Sequence, residues 1–280
     1  MGRVENVEVY KDTENLCKNN DRLKNSIKNS IEHQKLILEN KDIVIHNKKR
    51  YESPAKIKVS KKRTLEAASI YSNTKIAVHN FASAANPGGG VRNGSNAQEE
   101  CLCRCSGLYF CLNTQTMWDG FYNPHRQAHD PLHNDDIILT PKVTVFKTDT
   151  MYPKLMKESD WYDVDVITCA APNLRARGGH KIKISDKELL KLHEKRLKRI
   201  LDVAFLEGDE TVILGAFGCG VFMNDPKIVA QAAKNVISEY LYSFRNIEFA
   251  IYCSPRDDQN YRIFHSVFDT DCRNIGNMIK

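Results

Sequence analysis

KIAVHNFASAANPGGGVRNGSNAQEE, residues 75–100, holds the change of pattern that decides the fold. Its first eight residues, KIAVHNFA, are apolar enough for a strand buried on both faces, the form strands take in a largely parallel sheet with layers above and below. The chain then sheds its side chains at Gly88, Gly89 and Gly90. AQEECLCRCSGLYFCLN, residues 97–113, reads as a helix. Strand, bare loop and helix in that order make an α/β unit, with the loop at the carboxyl end of the strand, where such sheets place their ligands.

Downstream, the alternation continues. IILTPKVTVFKT (137–148) is one interrupted strand or a hairpin, and VDVITCAAPN (164–173) is an apolar strand ending in a loop. SDKELLKLHEKRLKRILDVAFLEG (185–208) is a long helix, with Ser185 as N-cap, Glu188 completing a capping box and Gly208 at the C-terminal end. TVILGAF (211–217) is a strand, DPKIVAQAAKNVISEYLYSF (225–244) a helix opened by Pro226, and IEFAIYCS (247–254) a last strand. The expected architecture is a three-layer α/β sandwich around a mixed, largely parallel central sheet. Upstream, Leu16, Leu23, Ile27, Ile31, Leu36 and Ile37 recur at helical intervals and predict a long amphipathic helix or a helix pair. DIVIH (42–46) and KIKVS (56–60) look like short strands, and a short helix follows through Leu65–Ile70. Residues 1–70 thus form an N-terminal, mainly helical extension packed on a main domain of residues 71–280.

Bulk composition narrows the function classes. A chain of 280 residues with 41% hydrophobic and 27% charged residues has the make-up of a soluble globular protein. No apolar run approaches the length of a membrane span, and MGRVENVEVYKDTEN lacks the apolar core of a signal peptide. Gly2 resembles a lipidation start, but Asn6 stands where that signal needs Ser or Thr. Nine cysteines, an odd number without a secretory signal, point to reduced thiols in a cytoplasmic protein. The net charge of +6 lies at one end: residues 1–65 carry 16 Lys and Arg against 9 Asp and Glu. Such an excess is compatible with a nucleic acid or another polyanion. Interleaved acids favour a solvated helical face instead.

The two glycine loops carry the chemistry. Three consecutive glycines permit positive φ and let several N–H groups line one concavity, which suits the oxygens of a diphosphate. Taken alone, a glycine triplet reads more readily as a tight surface turn. The residues after it shift the balance: Asn96 can cap the helix, with Glu99 three residues on to complete the box. Neighbouring helical residues point about 100° apart, so Glu99 and Glu100 cannot aim at one spot. One can cap or hold a hydroxyl while the other faces a reaction centre, where desolvation beside a like charge raises a carboxyl pKa toward the range of a proton donor. GAFGCGVFMNDP (215–226) repeats the logic: Gly215, Gly218 and Gly220 surround Phe217, Cys219 and Phe222 ahead of a helix N-terminus. Its spacing fits neither a Walker loop nor the dinucleotide fingerprint.

Other groupings carry less. Cys101, Cys103 and Cys105 cannot converge on one ion from a helix, since i+2 points nearly opposite to i, so no metal site is expected. Cys219 as a nucleophile lacks a histidine at a recognisable spacing. His125, His129 and His133 recur every four residues, but Pro124 and Pro131 interrupt a helix there and a surface loop is expected. RARGGHKIK (175–183) is a basic, glycine-containing loop.

GGGVRNGSNAQEE has the GGG-x(7)-QEE form of the poly(ADP-ribose) glycohydrolase signature. With VHNFASAANPGGG and GAFGCGVFMNDP, the chain resembles the microbial-type branch of those enzymes, whose catalytic unit is a macrodomain. The resemblance covers about residues 75 to 255, and it implies an O-glycosyl hydrolase of ribose–ribose bonds needing no metal or redox cofactor. Carried onto this sequence, it implies Glu100 as the acid that protonates the leaving oxygen and then activates water, with Glu99 bonding ribose hydroxyls. Gly88, Gly89 and Gly90 would lie against the scissile ribose, and Gln98 would support the acid. Gly218, Cys219, Gly220, Val221 and Phe222 would wrap the diphosphate, with Phe222 over the ribose. The partner implied is ADP-ribose polymer, attacked from its ends. Two other readings stay open: a hydrolase that removes single ADP-ribose units from protein or nucleic acid, and a module that binds ADP-ribose without cleaving it.

Overall fold

The computed structural model describes residues 2–175 and 182–278. Seven strands form one sheet: β1 (Lys35–Ile37), β2 (Lys56–Ser60), β3 (Ile76–Ala82), β4 (Ile137–Val145), β5 (Tyr162–Ala170), β6 (Thr211–Leu214) and β7 (Asn246–Ala250). Their order is β1-β4-β5-β3-β6-β7-β2. The run from β5 through β3, β6 and β7 to β2 is parallel, while β4 lies antiparallel to both β5 and β1. The sheet is therefore mixed and largely parallel, as expected.

Helices cover both faces. On one side lie α1 (Arg3–Asn19), α2 (Asp21–Glu32), α3 (Thr64–Ala68), α4 (Gln98–Cys105), α5 (Leu108–Leu112), α6 (Gln115–Met117) and α7 (Asn123–Ala128), and on the other α8 (Asp186–Glu207), α9 (Pro226–Ile237) and α10 (Gln259–Met278). Strand β3 shows why its first half is apolar: Ile76 and Val78 join the core under α4, and Ala77 joins the core under α8 and α9. Burying both faces leaves no solvated side on which a polar residue would be free of cost.

Residues 1–70 supply three helices and both edge strands. The helix pair breaks at Asn20, whose side chain accepts from Leu23 N–H and caps α2. Asn6 of α1 donates to Gly94 O at 3.0 Å, and Thr13 donates to Arg104 O at 2.5 Å, so α1 braces both the loop ahead of α4 and the last turn of α4. Many lysines of this segment sit in ion pairs, such as Lys24 with Asp21, Lys35 with Glu207 and Lys48 with Asp202.

Several expectations need correction. DIVIH forms no strand; the edge strand is Lys35–Ile37, defined by antiparallel pairing with Ile137–Leu139. Residues 97–113 form two helices, because Ser106 bridges Val145 and Gly107 N–H donates to Thr144 O, which pulls the chain onto β4. Of the two readings of residues 137–148, the interrupted strand holds: β4 runs Ile137–Val145 with a bulge between Thr140 and Val143, where Lys142 adopts φ +52°. His125 lies in α7 and is buried against Phe121 rather than on a surface loop. Of the basic loop 175–183, residues 176–181 lie outside the described residues.

Candidate active site

Strands β3 and β6 pair only from Ile76–Thr211 to Val78–Ile213, whereas β3 continues beside β5 to Ala82 and Ala170. Beyond Val78 the β6-facing edge of β3 is open. Gln98 fills it: its side chain accepts from Phe81 N–H at 2.9 Å and donates to His79 O at 2.8 Å and Thr64 Oγ1 at 3.1 Å. One amide thereby replaces a stretch of ladder and fixes the start of α4 at the strand end. The crevice that opens there is a cleft of about 350 Å³, of the size ligand sites have. Gln98, Gly218, Gly220, Val221 and Phe222 line it, together with Arg63, Asp149, Tyr252 and Asn260.

Glu99 and Glu100 occupy the first turn of α4, where the helix dipole favours negative charge. Both are buried, at 3% and 7% exposure. They diverge as the helical step requires. Glu99 accepts from Ser83 N–H at 2.8 Å and from Asn80 Nδ2 at 3.2 Å, on the inner face of β3. Burial drives the Glu99 carboxyl up to about 8, against the lowering effect of those donors. Glu100 turns the other way: Oε1 accepts from Gly90 N–H and Oε2 from Ala97 N–H, each at 2.9 Å. Two backbone donors fix the plane of this carboxyl and leave each oxygen a lone pair for a proton or a ligand. The start of α4 is therefore tied by Glu100, which accepts from the N–H of the N-cap residue Ala97, and not by a box of Asn96 and Glu99; Asn96 Oδ1 instead accepts from the buried Arg104.

The glycine triplet folds over these acids. Gly88 and Gly89 have φ +64° and +57°, where glycine alone is at ease. A Cβ on Gly89 would stand 2.5 Å from Glu100 Oε1 and 3.2 Å from Glu99 Oε2. At Gly88 it would meet Tyr109, and at Gly90 it would strike Ser95. Bare main chain is needed here so that the loop can rest on its own carboxylates. Of this segment Ala97, Gln98 and Cys101 line the cleft, whereas the triplet and the two acids do not.

Across the cleft, Gly218 has φ +75°. Among the described residues, the N–H groups of Gly218, Gly220, Val221 and Phe222 donate to no protein acceptor, while Gly218 O and Phe222 O are both taken up. Carbonyls turned in and N–H groups left over make an anion nest. The N-terminus of α9 is less open than the sequence suggested, because Asp225 caps it by accepting from Lys227 N–H at 2.8 Å. Cys219 faces inward, with its thiol toward Phe217 O at 3.7 Å and its pKa pushed up by burial. Cys101, Cys103 and Cys105 are buried and likewise raised by desolvation. Among the described residues no group of three or more His, Cys, Asp or Glu is placed to hold a metal ion.

Sequence reasoning missed Asn80, Thr64, Arg126, His193 and Asn224. A polar Asn80 inside an apolar strand is a signal that could have been used, since a buried amide demands partners. Arg126 donates from Nε to Ala85 O and from Nη2 to Asn86 Oδ1, both at 2.7 Å, and stacks on Trp118, thereby tying down the entry to the glycine loop.

Comparison with known proteins places this geometry. The chain resembles poly(ADP-ribose) glycohydrolase (PARG) from Thermomonospora curvata with a TM-score of 0.85 and 28% identity, over 95% of this chain and 100% of that one. The same enzyme bound to the inhibitor ADP-HPD gives a TM-score of 0.83 and 27% identity over 95% and 100% of the two chains. PARG from Deinococcus radiodurans in complex with ADP-ribose gives 0.78 and 29% identity over 88% and 98%. No curated protein matches the chain. Residues 4–148, more than half of the sequence, match the family described as microbial-type PARG, catalytic domain, and the chain belongs to that family.

Proposed function

We infer that the chain is a poly(ADP-ribose) glycohydrolase: it hydrolyses ribose–ribose O-glycosidic bonds and releases ADP-ribose. The observation that carries the reading is the seating of Gly88–Gly90 on two divergent buried acids, with a second bare loop across the cleft that leaves N–H groups unclaimed. Relatives that hold ADP-ribose and ADP-HPD support the same ligand in this cleft.

In this reading the diphosphate lies against Gly218–Phe222, and Phe222 covers the adjoining ribose. The scissile ribose comes under Gly88–Gly90. Glu100, carrying a proton, donates it to the leaving ribose oxygen as the bond to the anomeric carbon breaks. The departing unit leaves with a hydroxyl, and the electron-poor ribose carbon is stabilised by the nearby diphosphate. Glu100, now a carboxylate, takes a proton from water as the water oxygen attacks that carbon, which returns the acid to its starting state. Glu99, protonated at neutral pH by its burial, bonds the ribose hydroxyls without adding a second negative charge. One carboxyl thus serves both steps, unlike the two-carboxylate arrangement of most glycosidases.

We place the attack at chain ends, with ADP-ribose polymer as the partner. Val221 in the second loop is exposed beside the cleft, and Leu174 N–H holds Phe222 O, which supports a fixed wall on that side of the bound unit. A time course with defined-length polymer separates the readings: attack from the ends gives free ADP-ribose from the first minutes, whereas early intermediate oligomers contradict it. Equal turnover of polymer and of protein carrying single ADP-ribose units would contradict the choice of substrate.

A further inference from the structure

Asn224 closes the second glycine loop, one residue before the N-cap of α9, and is 2% exposed. Its Nδ2 group faces three carbonyl oxygens: Pro172 O at 2.7 Å, Gly218 O at 3.0 Å and, most weakly, Phe222 O at 3.4 Å. Three acceptors around one atom require an amide nitrogen there, so Oδ1 points the opposite way. It meets His193 Nε2 at 3.0 Å. An amide oxygen only accepts, so this ring nitrogen carries the hydrogen. His193, on α8, is 3% exposed, and burial pushes its pKa down to about 4, which keeps the ring neutral with a single N–H to give.

The consequence falls on the loop. Asn224 also donates its backbone N–H to Gly218 O at 3.1 Å, so both ends of the 218–222 segment are drawn to one residue. Their carbonyls are pulled inward, and between them the N–H groups of Gly220 and Val221 are left without a protein acceptor among the described residues. A Cβ on residue 218 would stand 2.5 Å from Asn224 Nδ2 and 2.9 Å from Ala171 Cβ, so glycine is needed for this closure. The three carbonyls already set the sense of the amide, since a flipped Oδ1 would confront three oxygens; the His193 bond anchors its far end, and without that bond the amide is held on one side only.

We propose that Asn224, anchored by the His193 Nε2–H donor, is a positioning residue that sets the curvature of loop 218–222 and through it the affinity for the diphosphate. The proposal rests on the reading that puts the diphosphate in this loop. Neither side chain lines the cleft, so both act through the main chain.

The test compares ADP with adenosine, two ligands that differ in the diphosphate alone. By titration calorimetry, wild type binds ADP more tightly than adenosine. His193→Phe, which keeps a ring but no donor, weakens ADP about 10-fold, the effect of one buried hydrogen bond, and leaves adenosine unchanged. His193→Gln, which restores an N–H, recovers most of the loss. With polymer as substrate, KM rises in His193→Phe while kcat changes little. Asn224→Asp, which keeps the acceptor for His193 and removes the three-way donor, loses the ADP preference in the same way. Wild type binding ADP and adenosine equally would sink the placement of the diphosphate itself. Wild type preferring ADP, with His193→Phe or Asn224→Asp keeping that full preference or losing both ligands alike, would overturn the positioning role. Nitrogen NMR of the wild type gives a readout independent of variants: His193 is the Nε2–H tautomer, and an Nδ1–H tautomer would overturn the proposal.

Discussion

Replacing Gly89 by Ala tests the seat of the acid more sharply than removing the acid. At φ +57° an alanine costs about 1–2 kcal/mol in backbone conformation alone. The added Cβ would lie 2.5 Å from Glu100 Oε1, roughly 1 Å inside ordinary van der Waals contact. Either the carboxyl swings or the loop lifts, and both break the 2.9 Å bond from Gly90 N–H to Oε1. A hydrogen bond of that kind contributes about 0.5–1.5 kcal/mol, and a 1 Å misplacement of a reacting group costs on the order of 100-fold in rate. Gly89→Ala is therefore expected to fold with a lowered melting temperature and to release ADP-ribose from polymer about 100-fold more slowly. ADP binding at the second loop should stay near wild type, because that loop is untouched. The assay is initial-rate release of ADP-ribose at saturating polymer, with calorimetric titration of ADP beside it. A Gly89→Ala enzyme that turns over polymer within 3-fold of wild type, roughly the 0.6 kcal/mol of a surface substitution, would refute the claim that the loop must rest bare on Glu100.

Three further outcomes are expected from the same geometry. The Glu99 carboxyl is raised from 4.5 to about 8, so its contribution to stability is full below about pH 4.5 and is lost as pH rises through 8; by linkage the span amounts to roughly 4–5 kcal/mol. Thermal unfolding of Glu99→Gln between pH 5 and 9 should show a flatter pH dependence than wild type, and parallel curves would contradict the assignment. Gln98→Leu leaves Phe81 N–H and His79 O without partners at the strand end and is expected to destabilise the fold by about 2–4 kcal/mol in denaturant melts. Arg126→Ala frees the Ala85–Asn86 entry to the glycine loop and should lower kcat about 10-fold, the scale of one lost charge-assisted bond. Arg126→Lys should recover only part of this, because an ammonium lacks the planar fork.

Much of the fold is written in local pattern. Helix α8 begins at Ser185 with its Glu188 box and ends at Gly208 in the left-handed region, as cap chemistry alone predicts. The parallel strands are legible because burial on both faces forces unbroken apolar runs. What local pattern cannot carry is pairing: Lys35–Ile37 is a strand only because β4 passes beside it, while the more strand-like DIVIH has no partner. The break at Ser106–Gly107 has the same origin in contacts with β4.

The site divides along the same line. Glycine loops and adjacent acids are visible as composition, since stripping side chains from main chain leaves a trace in the sequence. The direction each acid takes is not: Asn96 reads as a cap, yet Arg104, eight residues on, claims its side chain, and Glu100 rather than Glu99 takes the N–H of the N-cap residue Ala97. Asn224 and His193 are 31 residues apart and meet only when α8 packs on the sheet.

The proposed mechanism stands on Glu100 alone moving the proton, and Glu100→Gln isolates that step. The amide keeps the shape of the side chain but can neither give nor take the proton. ADP-ribose affinity should remain within a few-fold of wild type while release of ADP-ribose from polymer falls about 10²- to 10⁴-fold, the worth of general acid–base catalysis. Polymer turnover near the wild-type rate in Glu100→Gln, or the same collapse in Glu99→Gln with Glu100→Gln intact, would contradict that role.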